Sequence, residues 1–195
     1  MTTVKQVVCI NGPPQVGKDT IADLLVASNT SIAKAKFAAP LMRIATSVLN
    51  KSAEDMAHLR EEGKDTKCLG PWNKPISMRE LMIAISEDLV KPLLGDTYFA
   101  EQAVGLIDRE DEAEVMVMSD SGFTTEFNHF TRAMNDRGIS VDLIRLHRDG
   151  FNFDHDSRNY VEPAADVTCI ALDISTNGTP EETLAEYLAA TEWVV

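Results

Sequence analysis

The stretch Gly12-Pro-Pro-Gln-Val-Gly17-Lys18-Asp19-Thr20 sets two glycines apart with the spacing Gly-x4-Gly-Lys, the pattern of a phosphate-binding loop. Glycines there let backbone N–H groups turn inward around phosphates, and a helix beginning at the loop adds the positive end of its dipole. Lys18 suits a bridge between β- and γ-phosphates, and the hydroxyl and N–H of Thr20 can hold a phosphate oxygen. Gly12, Val16, Gly17, Lys18, Asp19 and Thr20 are therefore the candidate nucleotide contacts. Asp19 departs from the pattern, since that place normally holds a Ser or Thr that ligates Mg²⁺ directly. A carboxylate beside phosphates repels them unless it faces the metal or its waters. Either Mg²⁺ is held indirectly or Asp19 points away. The plainer competitor is a glycine turn that merely caps a helix.

A second acidic candidate is Asp120, which closes the apolar run Val115-Met-Val-Met-Ser119. An Asp at the end of a buried strand can hold Mg²⁺ through water or orient the attacking group. Its bland alternative is a turn-starting Asp ahead of Gly122.

These residues need a frame. Residues 4–10 are rich in β-branched side chains and stop at Asn11-Gly12-Pro13-Pro14, which predicts a strand buried on both faces and then a turn. Ile21, Leu24 and Leu25 recur at helical spacing and predict a helix over about 19–28. A short strand is expected at 33–37. Leu41, Ile44, Ala45, Val48 and Leu49 trace an apolar helix face behind Pro40. Residues 51–76 are charged and poor in large apolar side chains, and read as a short polar helix (52 to about 62) and a loop. Ser77 and Glu80 form a capping-box pair ahead of the stripe Met78, Leu81, Met82, Ile85 and Leu89. A further helix is expected at 97–108. Phe127, Phe130 and Met134 predict another that closes at Gly138. Strands follow at 139–147 and 167–174, separated by the aperiodic polar stretch 149–163. Thr179-Pro180-Glu181-Glu182 opens the last helix with an N-cap, a first-position Pro and a capping-box Glu. Helices alternating with strands imply a mostly parallel sheet covered on both faces, an α/β fold.

Composition narrows the class. The chain has 195 residues, 44% hydrophobic and 25% charged, enough for one well-cored domain. No apolar run approaches the ~20 residues that span a bilayer, and three cysteines without metal-type spacing point to a reduced, cytoplasmic protein. The net charge of −13 argues against a nucleic acid polymer as partner. That charge is uneven. Residues 1–50 carry +3, while residues 87–114 and 162–195 carry −7 each. A local basic pocket on an acidic protein suits one or two nucleotides.

In this order the motifs resemble the deoxynucleoside monophosphate kinases of bacteriophages, within the adenylate-kinase-like branch of P-loop kinases. The resemblance runs through Gly17-Lys18-Asp19-Thr20 with Ile21-Ala22-Asp23-Leu24-Leu25, Phe37-Ala38-Ala39-Pro40-Leu41, Arg79-Glu80-Leu81-Met82, and Ser86-Glu87 with Lys91-Pro92. It continues through Gly95-Asp96-Thr97-Tyr98-Phe99-Ala100, Ser119-Asp120-Ser121-Gly122-Phe123 with Glu126, and Asp156-Ser157-Arg158 with Tyr160. Two departures bear on the substrate base rather than the reaction class. Met42 follows the Pro-Leu pair where many members carry a basic residue, with Arg43 one place later. Gly122 stands where several have an arginine.

The resemblance implies a three-layer P-loop NTPase fold with a five-stranded sheet, a substrate-side insert at 51–76 and a lid-like loop at 148–160, all in one domain. It implies ATP- and Mg²⁺-dependent transfer of a γ-phosphoryl group to a (deoxy)nucleoside monophosphate, in the host cytoplasm if phage-encoded, with a homodimer as one possible assembly. Such transfer needs alignment and charge stabilisation, which guanidinium groups provide. Catalytic candidates are Lys18, Arg148, Arg158 and Asp120. Substrate candidates are Arg43, Arg79, Glu87 and Phe37, and metal candidates are Asp19 and Asp120, through water. Arg145 is a further arginine of the same region. Each arginine has a surface salt bridge as its competitor, and core packing competes for Phe37, Tyr98, Phe99 and Trp72. His147 and His155 lack a third metal ligand at suitable spacing. The pair Lys64-Asp65 resembles a family pair in the insert and receives no role. Two other readings stand beside this one: a P-loop kinase of another small metabolite, and a regulatory protein that binds nucleotide without turnover.

Overall fold

The computed structural model describes residues 2–61, 67–68, 75–154 and 156–191. Trp72, His155 and the Lys64-Asp65 pair lie outside the described residues. The chain divides into two compact units, one from Met1–Phe37 with Phe99–Val195 and one from Ala38–Tyr98.

The larger unit is built on a five-stranded sheet. Its strands are β1 (Gln6–Asn11), β2 (Ile32–Ala35), β5 (Val115–Met118), β6 (Ser140–His147) and β7 (Ile170–Ser175), in the spatial order β2-β5-β1-β6-β7. Every pairing is parallel. All six residues of β1 and all four of β5 are buried, as strands covered on both faces must be. Side chains alternate between two cores. Val7 and Cys9 face one side with Phe127, Phe130 and Met134 of α7 (Thr124–Asp136) and Ala100, Ala103 and Ile107 of α6 (Tyr98–Ile107). Val8 and Ile10 face the other with Ile21, Ala22 and Leu25 of α1 (Lys18–Ser28) and Tyr187 of α8 (Pro180–Ala190). The result is helix, sheet and helix in three layers.

Local chemistry sets the ends of these elements. Thr179 caps α8 in a reciprocal capping box with Glu182, behind Pro180 at the first turn. Gly138 (φ +70°) closes the turn after α7. The described residues of 149–163 form no helix or strand, so among them β6 reaches its parallel neighbour β7 through an irregular crossover.

The smaller unit carries α2 (Ala39–Leu49), α3 (Ala53–Glu61), the two-residue strands β3 (Lys67–Cys68) and β4 (Ile76–Ser77), α4 (Met78–Ile83), a π-helical stretch over Ala84–Val90 and α5 (Lys91–Leu94). Strands β3 and β4 pair antiparallel. The loop reading of this stretch did not include that hairpin, because strands this short leave no alternation to read. Ser77 caps α4 as its spacing predicts. The helix expected behind Ser77, with its stripe from Met78 to Leu89, passes into π-helical turns at Ala84, which apolar spacing does not reveal. No helix among the described residues is long and apolar enough to cross a membrane.

Candidate functional site

Because the sheet is parallel, the carboxyl ends of all five strands share one edge. Order reverses around β1: β2 and β5 lie on one side and β6 and β7 on the other. The crevice outside such a switch point is where open α/β sheets bind ligands. The loop 12–17 leaves β1 at that point and runs into α1.

The loop geometry explains its glycines. Gly12 has φ +151°, and a Cβ there would fall 2.8 Å from the Leu146 carbonyl oxygen and 2.9 Å from Val16 Cγ1. Gly17 caps α1 in the left-handed region (φ 102°), and no side chain caps the helix. The first turn of α1 and the positive end of its dipole favour an anion at this place. Val16 is buried, packing the loop onto the α1-side core. Lys18 Nζ donates to the carbonyl oxygens of Gly12 and Pro13, each at 2.6 Å, which holds its ammonium across the loop mouth. Thr20 is exposed.

Asp19 follows Lys18. Its Oδ1 accepts from Ser119 Oγ at 2.9 Å and lies 2.8 Å from Lys36 Nζ and 3.1 Å from Lys34 Nζ. Partial burial opposes ionisation, but hydrogen bonds from Lys36, Lys34 and Ser119 outweigh it and hold the carboxyl well below the usual range. The side chain stays 57% exposed. A magnesium ion takes one or two carboxylates and otherwise phosphates and water. One ionised, exposed carboxylate beside a phosphate loop fits that donor set. No cluster of three or more metal-ligating side chains occurs among the described residues.

Asp120 follows β5, and its Oδ1 accepts the backbone N–H of Phe37 at 2.8 Å. Phe37 itself is 4% exposed with its ring edge against Phe130. Its ring therefore belongs to the core, and its backbone meets the acidic edge. Phe99 is likewise buried.

Arg158 is held by Asp156, which accepts from Nε at 2.8 Å and from Nη2 at 2.6 Å. Asp156 is 6% exposed and Arg158 24%. That charge-assisted fork, with Asp120 nearby, pushes the guanidinium pKa further up. Among the described residues no acceptor meets Nη1. Arg148 is exposed, its guanidinium 5.1 Å from the Phe151 ring centre. Arg145 is occupied differently: it grips Asp173 of β7 through Nε and Nη2 at 3.0 and 2.6 Å. His147 also meets Asp173, at 2.6 Å, and stacks on Tyr160. Arg145 and His147 thus fasten strand to strand and to the crossover.

Arg43, Arg79 and Glu87 lie in the smaller unit. Arg43 is exposed on the first turns of α2, and Arg79 is half-buried at the start of α4. Glu87 sits in the π-helical stretch and accepts from Lys91 at 2.7 Å and Ser86 at 3.0 Å. Burial opposes its ionisation, and those two bonds more than offset it.

Asn11 escaped the sequence reading, which took it as the start of a turn. It is fully buried, donating to the Ser121 and Asn159 carbonyls at 2.8 and 3.1 Å and accepting from the Val161 N–H at 3.1 Å. It ties the crossover to β1 beside the phosphate loop. Its partners are 110 to 150 residues away in sequence. Lys34 and Lys36 were missed as well. Their spacing of two on a strand was the available signal, since it puts both on one face.

No family model matches the chain, and no curated protein matches it. Among solved structures, the chain is similar to a gluconokinase from Sinorhizobium meliloti 1021, with 12% identity and a TM-score of 0.49 over 95% of this chain and 90% of that one. It is also similar to an APS kinase from Mycobacterium tuberculosis, with 14% identity and a TM-score of 0.45 over 95% and 96%. A shikimate kinase from Aquifex aeolicus matches at 13% identity and a TM-score of 0.41 over 95% of each chain. At such values the fold rests on the strand order and the loop themselves. By that order and that loop, the chain has the α/β phosphate-loop fold of the P-loop NTPases.

Proposed function

We propose that this protein is a phosphotransferase that moves the γ-phosphoryl group of ATP, with Mg²⁺, to a (deoxy)nucleoside monophosphate. One observation carries the reading: a glycine loop at the sheet's switch point, with Lys18 Nζ fixed across it by two carbonyls, opens an uncapped helix start. That arrangement suits the β- and γ-phosphates of a nucleotide. The ordered motifs that resemble phage deoxynucleoside monophosphate kinases support the acceptor class.

Each group has a task under this reading. Lys18 and the α1 amides hold the donor phosphates. Arg158, pre-aligned by Asp156, offers Nη1 to the transferring phosphoryl group, where developing charge needs a fixed cation. Arg148 lies exposed at the start of the crossover, free to swing. Asp120 is assigned to orienting the attacking group or to holding Mg²⁺ through water. Magnesium, when bound, would neutralise the phosphate oxygens, with Asp19 as its protein-side acceptor. Arg43, Arg79 and Glu87 are assigned to the acceptor nucleotide.

The test is a panel of four dNMPs and four NMPs with ATP and Mg²⁺, read by coupled ADP release. Transfer to at least one monophosphate is expected. ATP binding with no transfer to any nucleotide would overturn the reading.

A further inference from the structure

Asp19 places a negative charge among groups that collect anions, and the structure surrounds that charge with cations. Lys34 lies on β2 and Lys36 directly follows it, two residues apart and so on one face of the strand. Ile32, on that same face, packs in the core that α1 covers. Both lysines therefore meet the first turn of α1. Three donors, Lys36 Nζ, Lys34 Nζ and Ser119 Oγ, converge on one oxygen, Oδ1. Among the described residues none reaches Oδ2. Lys34 also pairs with Asp23 at 2.7 Å, so its charge is shared between two carboxylates. Among the described residues Lys36 pairs with Asp19 alone. The charges of Asp19, Asp23, Lys34 and Lys36 cancel, and the aspartate adds no net negative charge beside the loop.

We propose that Lys36, assisted by Lys34 and Ser119, is a positioning residue that makes an aspartate workable in this phosphate loop. It neutralises Oδ1 and leaves Oδ2 as the exposed acceptor for a water carried by a divalent cation on nucleotide phosphates. The proposal rests on the nucleotide reading above and adds the compensating pair to it. A lysine that binds phosphate directly is a different arrangement, because its effect would not depend on Asp19.

The experiment is a double-mutant cycle on the full chain, with ADP binding measured by calorimetry with and without Mg²⁺. Lys36→Met weakens Mg²⁺-free ADP binding about tenfold, the order expected when one unit charge near a diphosphate is left uncompensated at a partly exposed site. In the Asp19→Asn background the same substitution changes affinity less than about twofold, because no carboxylate remains to neutralise. Lys36→Arg, which keeps the charge, retains wild-type affinity. Equal losses in both backgrounds, no loss in either, or a loss in Lys36→Arg as large as in Lys36→Met would overturn the proposal and leave the nucleotide reading standing. A wild-type protein that binds no ADP would overturn both.

Discussion

Arg158 lays its aliphatic stem across Gly122. A Cβ built on Gly122 falls 2.5 Å from Arg158 Cδ, 2.7 Å from Cγ and 3.1 Å from Cβ. Gly122 is not in a left-handed conformation, so its lack of a side chain serves the approach of Arg158 and not the backbone. The guanidinium beyond that stem is the one Asp156 holds in a fork.

Gly122→Ala must therefore move Arg158 or its loop. An ångström of misplacement at a group that meets the transferring phosphoryl costs on the order of a hundredfold in rate. Overpacking of this kind also costs about 1–3 kcal/mol of stability. Turnover is expected to fall by that order while ADP affinity stays near wild type, since the phosphate loop is untouched. Steady-state kinetics and calorimetry together check it. Unchanged turnover would mean that Arg158 has no part in transfer.

Lys18→Ala removes the ammonium that two loop carbonyls hold at 2.6 Å. Losing one fixed charge-stabilising donor costs about 10²–10³ in rate. The substitution is expected to abolish most turnover and to weaken ADP binding, with the fold kept, as read by circular dichroism. Near-wild-type turnover would remove Lys18 from the site.

Asn11→Ala leaves the Ser121 and Asn159 carbonyls and the Val161 N–H without their buried partner. Unmade buried hydrogen bonds cost about 1–3 kcal/mol each, and relaxation recovers part of that. A loss of roughly 2–4 kcal/mol is expected in urea unfolding, with faster hydrogen exchange at the Val161 amide. Unaltered exchange there would show that the crossover is fastened elsewhere.

These cases show what the sequence could and could not convey. The glycine loop between β1 and α1 was legible because its spacing is local, carried by neighbouring residues from Gly12 to Lys18. The sheet was legible because β1 and β5 are buried on both faces and carry the unbroken apolar runs Val7–Ile10 and Val115–Met118. Asn11 was not, since a buried polar side chain is defined by partners brought together only by folding. The pairing of Asp19 with Lys36 was hidden for the same reason: parallel strands place Ser119 and Lys36 beside α1 across long loops. Arg145 looked like Arg158 in sequence, and only the register of β6 on β7 gives it Asp173.

Asp142 offers a prediction away from the site. It is 2% exposed in β6, and its Oδ2 accepts from Tyr187 Oη at 2.7 Å and Gln6 Nε2 at 2.9 Å. Burial outweighs those two bonds and raises its pKa. A carboxyl whose folded pKa is raised contributes stability that is full below its unfolded value and is lost as pH rises through the folded one. The titratable neighbours do not blur this. Burial raises the Tyr187 and Cys169 pKa values and pushes that of Cys9 up to about 12, so all three stay neutral between pH 4 and 8. Asp142→Asn keeps an acceptor for Tyr187, and its amide can donate to Gln6 Oε1, which has no partner among the described residues. The stability difference between Asp142→Asn and wild type should therefore grow in the variant's favour from pH 4 to pH 8, by about 1.4 kcal/mol for each unit the folded pKa is raised. Urea unfolding of both proteins across that range measures it, and every carboxylate they share cancels in the difference. A difference independent of pH would mean that Asp142 titrates alike in the folded and unfolded chains.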